Sequence, residues 1–98
     1  MSGIKLDAGK PKLSLLNKDF LHGTAKALGY GIDKYGRNNY KLGMEWTRVI
    51  DATLRHMAAF TSGENIDEES KLSHLNHAAA CLNILIYYYE NDVGTDDR

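Results

Sequence analysis

Three stretches of the chain carry apolar residues at helical spacing, and glycine-rich or charged segments separate them. In the first, Phe20, Leu21, Thr24 and Leu28 recur three or four residues apart, which predicts a helix that starts with Asn17 or Asp19 as N-cap and stops at Gly29 or Gly31. Gly23 falls in its middle, where glycine costs about 1 kcal/mol relative to alanine. Either a neighbour approaches closely there or the helix frays. In the second stretch Trp46, Val49, Ile50, Thr53, Leu54, Met57 and Phe60 trace one face. Arg48, Asp51 and Arg55 lie opposite, Asp51 and Arg55 at the spacing of a helical ion pair, and Gly63 supplies the stop. The third helix is expected from about Ser70 to Tyr89. Its stripe of Leu75, Ala79, Leu82, Ile86 and Tyr89 is widened by Ala78, Cys81, Ile84, Leu85 and Tyr88. A face that wide predicts a helix lying centrally or shared across a subunit interface.

The remaining segments read as connections. Residues 1–16, interrupted by Gly3, Gly9 and Pro11, predict an extended arm that Leu13, Leu15 and Leu16 pin to the body. In the stretch from Gly31 to Gly43 the first residues can continue the helix, and the remainder predicts a loop able to carry binding groups. The stretch from Ser62 to Lys71 holds Glu64, Asp67, Glu68 and Glu69, with Asp67 or Ser70 as cap of the third helix. Residues 92–98 are expected to form a flexible acidic tail. The whole is expected to be one all-α domain over residues 1–98, a compact bundle of three to four helices completed by oligomerisation. A chain of 98 residues buries only about 60 to 70% of its potential surface by itself.

Charge and cysteine content narrow the function classes. With 12 basic and 13 acidic residues the net charge is -1, so no general field draws the molecule to duplex nucleic acid. No apolar run is long enough for a membrane span, and the single Cys81 cannot form an internal disulfide. A cytoplasmic location is expected, in the host cytoplasm if the protein is phage-encoded. Lys5, Lys10, Lys12 and Lys18 crowd the front, as a phosphate-meeting arm or as a solvated one.

Three groups of residues bear chemistry. His74, His77 and Cys81 share one helical side, either as part of a zinc site or as a buried thiol beside hydrogen-bonded imidazoles. If the second and third helices are antiparallel neighbours, His56, the acidic connector, His74 and His77 meet at one end. Glu64, Asp67 and Glu68 would there offer oxygen ligands to Mg2+ or Mn2+, or else form a solvated turn. Lys34, Tyr35, Arg37, Asn38, Asn39, Tyr40 and Trp46 combine phosphate-holding, base-reading and stacking groups. Trp46 equally suits the core and Asn38–Asn39 a turn.

The blocks Lys5-Leu-Asp-Ala-Gly-Lys-Pro-Lys, Gly31-Ile-Asp-Lys-Tyr-Gly-x-Asn-Asn-Tyr, Asp51-Ala-Thr-Leu-Arg-His, Gly63-Glu-x-x-Asp-Glu-Glu-Ser and His74-Leu-x-His-Ala occur in that order. Together they resemble the phage dATP/dGTP diphosphohydrolase N-terminal domain family, related in fold to the all-α MazG-like nucleotide pyrophosphatases. The resemblance implies a helical, often homo-oligomeric protein that handles a purine deoxynucleotide with Mg2+ or Mn2+, releasing pyrophosphate and a monophosphate. With the clustered carboxylates it assigns Glu64 and Asp67 as metal ligands and Glu68 as ligand or water-orienting group. His56, His74 and His77 become orienters or phosphate donors, and Arg55 or Lys34 a phosphate contact. Two departures stand out: the second helix lacks the Glu-Glu-x-x-Glu motif of MazG proteins, and Lys71 stands where members commonly have glycine. A nucleotide-sequestering protein without catalysis, or a helical protein-interaction module, are the alternatives.

Overall fold

Asn17 caps the first helix: its side-chain oxygen accepts a hydrogen bond from the Phe20 amide at 2.8 Å, at the start of α1 (Lys18–Tyr35). The structure, a computed structural model, describes residues 3–98, so Met1 and Ser2 of the expected arm lie outside the described residues. Gly29 and Gly31 do not end α1 but lie within it. The helix runs on to Gly36, whose φ of 91° is a conformation that favours glycine. A glycine inside a helix lowers propensity without blocking it. The turn they flank is held by Tyr30, which meets His77 edge-on, and by Lys34, which bonds Glu69.

α1 packs on α3 (His74–Asn91) through small residues. Gly23, Thr24 and Ala27 are its buried positions. A Cβ on Gly23 would stand 2.6 Å from Asn76 Cγ, so the mid-helix glycine is the close approach its position predicted.

α2 (Trp46–Thr61) and α3 form the expected antiparallel pair. His56 near the end of α2 meets His74 at the start of α3, and the Trp46 ring at the other end lies 6.4 Å from that of Tyr89. The core they enclose is Trp46, Val49 and Tyr88, flanked by Tyr40, Met44, Cys81, Ile84, Leu85, Tyr87 and Val93. Its polar tips are satisfied: Tyr88 Oη donates to the Tyr40 carbonyl at 2.6 Å and Trp46 Nε1 to the Val93 carbonyl at 2.8 Å.

The stripe expected to form the buried face of α3 is instead exposed. Leu75, Leu82, Ile86 and Tyr89 are 43%, 47%, 58% and 66% accessible, whereas His74, Ala78, Ala80 and Tyr88 are buried. Both sides of α3 are apolar, so periodicity alone does not choose between them. The small Ala78 and Ala80 lie on the buried side. Ser73, not Asp67 or Ser70, caps α3, accepting from the Leu75 amide at 3.1 Å.

The two chain ends behave differently. Residues 3–17 run exposed along the outside, and Leu13 and Leu15, expected to pin the arm, are 75% and 81% accessible. The radius of gyration is accordingly 16.2 Å, against about 13 Å for a typical domain of this length. The segment read as a flexible acidic tail returns to the start of α2. There the Trp46 amide donates to the Thr95 carbonyl, the Thr95 amide to the Met44 carbonyl, and Asp97 accepts from the Thr47 amide and hydroxyl. Among the described residues there is no strand, and no helix is long and apolar enough to cross a membrane.

Candidate functional site

Three of the four carboxylates crowded between α2 and α3 turn to separate partners, which relieves their mutual repulsion. Glu64 Oε2 lies 2.9 Å from His74 Nε2, and Glu69 Oε1 accepts from Lys34 Nζ of α1 at 2.8 Å. Asp67 Oδ2 accepts from the Ser70 amide at 2.9 Å and the Ser70 hydroxyl at 2.8 Å. Glu68 is exposed. The connector that spaces them is itself hydrogen-bonded: the Asp67 amide donates to Leu72, the Lys71 amide to Asp67, and the His74 amide to the Asn65 carbonyl. Such closure fixes where each acid points.

Three imidazoles meet the connector. His56 Nδ1 lies 2.9 Å from His74 Nδ1, and the His56 ring stacks on that of His77 with centroids 4.7 Å apart. Ser70 orders the tautomers. Its hydroxyl proton goes to Asp67, so it accepts from Leu72 N and from His77 Nε2–H at 2.6 Å. In the same way, His74 Nε2–H donates to the Glu64 carboxylate, which leaves its Nδ1 as the lone-pair atom facing His56.

These contacts set the charge states. Burial, followed by the neighbouring imidazoles, pushes the His56 pKa below the usual value, and burial likewise lowers that of His77. Hydrogen bonds from the Ser70 amide, opposed by burial and supported by its hydroxyl, hold Asp67 below the usual carboxylate range. Near neutral pH His56 and His77 are therefore neutral imidazoles beside an ionised Asp67.

Above this cluster opens a cavity of about 510 Å³ between the second half of α1, the 36–44 loop and the α2/α3 pair. Pockets of about 300–1,000 Å³ accommodate small organic ligands. His56, His77, Asp67 and Glu69 line it together with Tyr30, Tyr35, Tyr40, Asn38 and Asn39, and Tyr30 meets His77 edge-on. Arg37 and Arg55 also line it, and neither makes an ion pair with the described residues. The expected Asp51–Arg55 pair is absent among those residues. A cavity with tyrosines, side-chain amides and two guanidiniums suits a ligand that carries both an aromatic and an anionic group.

The predicted site residues divide accordingly. Lys34, Tyr35, Asn38, Asn39, Arg55, His56 and His77 line the cavity, and His74 lies buried directly behind His56. Lys34 is tied to Glu69, so it braces the wall rather than offering a free charge. Trp46 is not in the site: it is a core residue at the far end of α2, since a tryptophan opening an amphipathic helix satisfies packing and stacking patterns alike. Of the three expected metal carboxylates only Asp67 lines the cavity. Glu64 stands behind His74, and Glu68 belongs to neither group because the connector turns it outward. Asn38 does fill a turn, at φ 62°, as well as lining the cavity. Cys81 is a wall residue whose burial pushes the thiol pKa up, and among the described residues the ligand atoms that converge are those of His56, Asp67 and His74 without the thiol. Sequence reasoning missed Tyr30 and Glu69. Tyr30 sits between two glycines read as a helix end, and its heptad spacing from Gly23, a buried position, was the available signal.

Comparison with known proteins bears on the same residues. Residues 2–98 match the family described as dATP/dGTP diphosphohydrolase, N-terminal. A protein of Salmonella phage PMBT28 named dATP/dGTP diphosphohydrolase is 38% identical over 98 residues, the whole of this chain. The chain covers 33% of that relative, so it spans about a third of its length. No solved structure matches the chain.

Proposed function

The chain belongs to the dATP/dGTP diphosphohydrolase N-terminal family, and from that premise we propose that its cavity binds a purine deoxynucleoside triphosphate and cleaves it to a monophosphate and pyrophosphate. The observation that carries this reading is a cavity lined by tyrosines and asparagines together with imidazoles, Asp67 and two arginines that make no ion pair among the described residues. Tyr30, Tyr35 or Tyr40 would stack on the base, and Asn38 and Asn39 would meet its edge. Arg55 and Arg37 would hold phosphate oxygens.

In the reaction a water oxygen bonds to the α phosphorus while the bond to the oxygen bridging the α and β phosphorus atoms breaks. The electron pair leaves with pyrophosphate, and the water proton passes to a base. His77 is suited to that role because it lines the cavity, its Nε2–H is committed to Ser70, and its Nδ1 keeps a lone pair at neutral pH. A divalent ion, Mg2+ or Mn2+ on the family's chemistry, would supply neutralisation of charge growing on the phosphate oxygens. The donor set fits an ion in part, since Asp67 lies within reach of His56 and His74. Exposed apolar residues along α3 further support a homo-oligomer.

One observation favours the second reading, a nucleotide-sequestering protein: two of the three expected metal carboxylates do not line the cavity. The deciding experiment incubates purine and pyrimidine triphosphates with the protein, with and without Mg2+ or Mn2+, and separates mono-, di- and triphosphates. Metal-dependent pyrophosphate release that is lost in Asp67→Asn and Arg55→Ala supports cleavage. Saturable binding with intact triphosphate transfers the assignment to sequestration, and absence of both removes the nucleotide reading.

A further inference from the structure

The metal expected from sequence was an oxygen-bound one, yet the side chains that converge are mostly nitrogen donors. His56, Asp67 and His74 each place one ligand atom within 4.8 Å of the others, the grouping of this kind among the described residues. We infer that these three side chains form a two-imidazole, one-carboxylate centre for a first-row transition ion such as Mn2+, Fe2+ or Co2+, in preference to Mg2+. The inference deepens the proposed function, on which it rests only for what the ion would do.

Four independent features support it. First, spacing: two nitrogens each about 2.1 Å from one ion stand about 3.0 Å apart at a right angle and about 3.4 Å apart at a tetrahedral angle. The 2.9 Å between His56 Nδ1 and His74 Nδ1 fits neighbouring positions of a six-coordinate ion. Second, orientation: metal-binding histidines commonly donate their other ring N–H to a carboxylate, which fixes the tautomer and raises basicity. Glu64 does this to His74, a side chain that is itself buried. Third, availability: both hydrogen bonds to Asp67 fall on Oδ2, which leaves Oδ1 without a partner among the described residues. Fourth, access: His56 and Asp67 line the cavity, so the remaining coordination positions would face a ligand there.

Donor chemistry then selects the ion. Imidazole favours the first-row transition metals, whereas Mg2+ keeps water and carboxylate oxygens and binds imidazole poorly. Two histidines with one carboxylate, occupying one face of the ion and leaving the opposite positions open, is a set that holds such ions. Glu64 acquires a role different from the one sequence assigned it. It is a positioning residue acting through His74 rather than a ligand.

The test uses metal alone, with no nucleotide. Co2+ is titrated into metal-free protein in a large excess of Mg2+, with uptake read by its visible absorption and by calorimetry. One Co2+ per chain should bind, with the weak visible bands of six-coordination. His56→Gln and Asp67→Asn should abolish uptake while circular dichroism shows the helices intact. Glu64→Gln should weaken it by about 10–100-fold, the usual cost of losing a carboxylate behind a metal-bound histidine. Uptake unchanged by His56→Gln, or Mg2+ displacing Co2+ at comparable concentration, would overturn the centre. Cleavage of triphosphates with Mg2+ by a protein that takes up no Co2+ would overturn it too, while leaving the proposed function in place. Co2+ uptake as described by a protein that neither binds nor cleaves nucleotide would sustain the centre and remove the function.

Discussion

Lys71 adopts a φ of 63°, in the left-handed region that costs a side-chain-bearing residue about 1–2 kcal/mol. Its amide closes the connector by donating to the Asp67 carbonyl at 2.8 Å, so the strained conformation is held because the loop around Asp67 requires it. Glycine would reach this conformation without that penalty. Lys71→Gly should stabilise the protein by about 1 kcal/mol, read as a thermal midpoint several degrees higher. Thr24 makes a second residue-scale case: its hydroxyl is buried without a hydrogen-bond partner among the described residues. Removing an unpaired buried hydroxyl at constant shape is neutral or favourable, so Thr24→Val should raise stability by up to about 1 kcal/mol in denaturant unfolding. Gly23 and Asn17 were legible in the chain itself, one as a costly glycine needing a neighbour and the other as a side-chain cap. Trp46 was not, because stacking on a ligand and packing in a core ask for the same residue.

At the level of elements, α2 begins with Glu45, whose side chain makes no capping bond, and receives its cap from the far end of the chain instead. Asp97 accepts from the Thr47 hydroxyl at 2.6 Å and from the Thr47 amide at 3.0 Å, and these bonds, the hydroxyl's foremost, hold its pKa below the usual carboxylate value. A carboxylate with a lowered folded pKa stabilises fully above its unfolded value, about 3.9. That contribution fades as pH falls through the lower folded value. Asp97→Asn should therefore lower the thermal midpoint near neutral pH, and the gap to the unaltered protein should close as pH falls through the lowered pKa of Asp97. A gap independent of pH would mean that Asp97 acts by packing alone. Local signals foresaw the helices and the meeting of His56 with His74 and His77, since antiparallel neighbours joined by one connector must share that end. They did not foresee the cap from Asp97, because a contact across 50 residues leaves no local pattern. Nor did they show the end of α1, which tertiary contacts of Tyr30 and Lys34 carry past two glycines.

For the molecule as a whole, the exposed residues of α3 matter most. Leu75, Ala79, Leu82, Ile86 and Tyr89 alternate steps of four and three, the spacing of a helix seam, and Leu54 of α2 is also 61% accessible. Such a stripe on a chain of 11.0 kDa is the feature that a second copy would cover. Light scattering over a dilution series should give a mass above 11.0 kDa at micromolar concentration, and Leu82→Glu with Ile86→Glu should return it to the monomer with helicity retained. A monomer throughout would leave the stripe to another partner, such as the additional chain length that the phage relative possesses. The central claim, that the cavity between α1 and the α2/α3 pair is a purine nucleotide site, is tested most directly by titrating dATP or dGTP into isotope-labelled protein and mapping amide shifts. Saturable shifts should concentrate at Tyr30 to Tyr40, Arg55, His56 and Asp67, and Arg55→Ala should abolish them. Shifts confined to the opposite end around Trp46, Tyr89 and Arg98, or no saturable shifts at all, would contradict it.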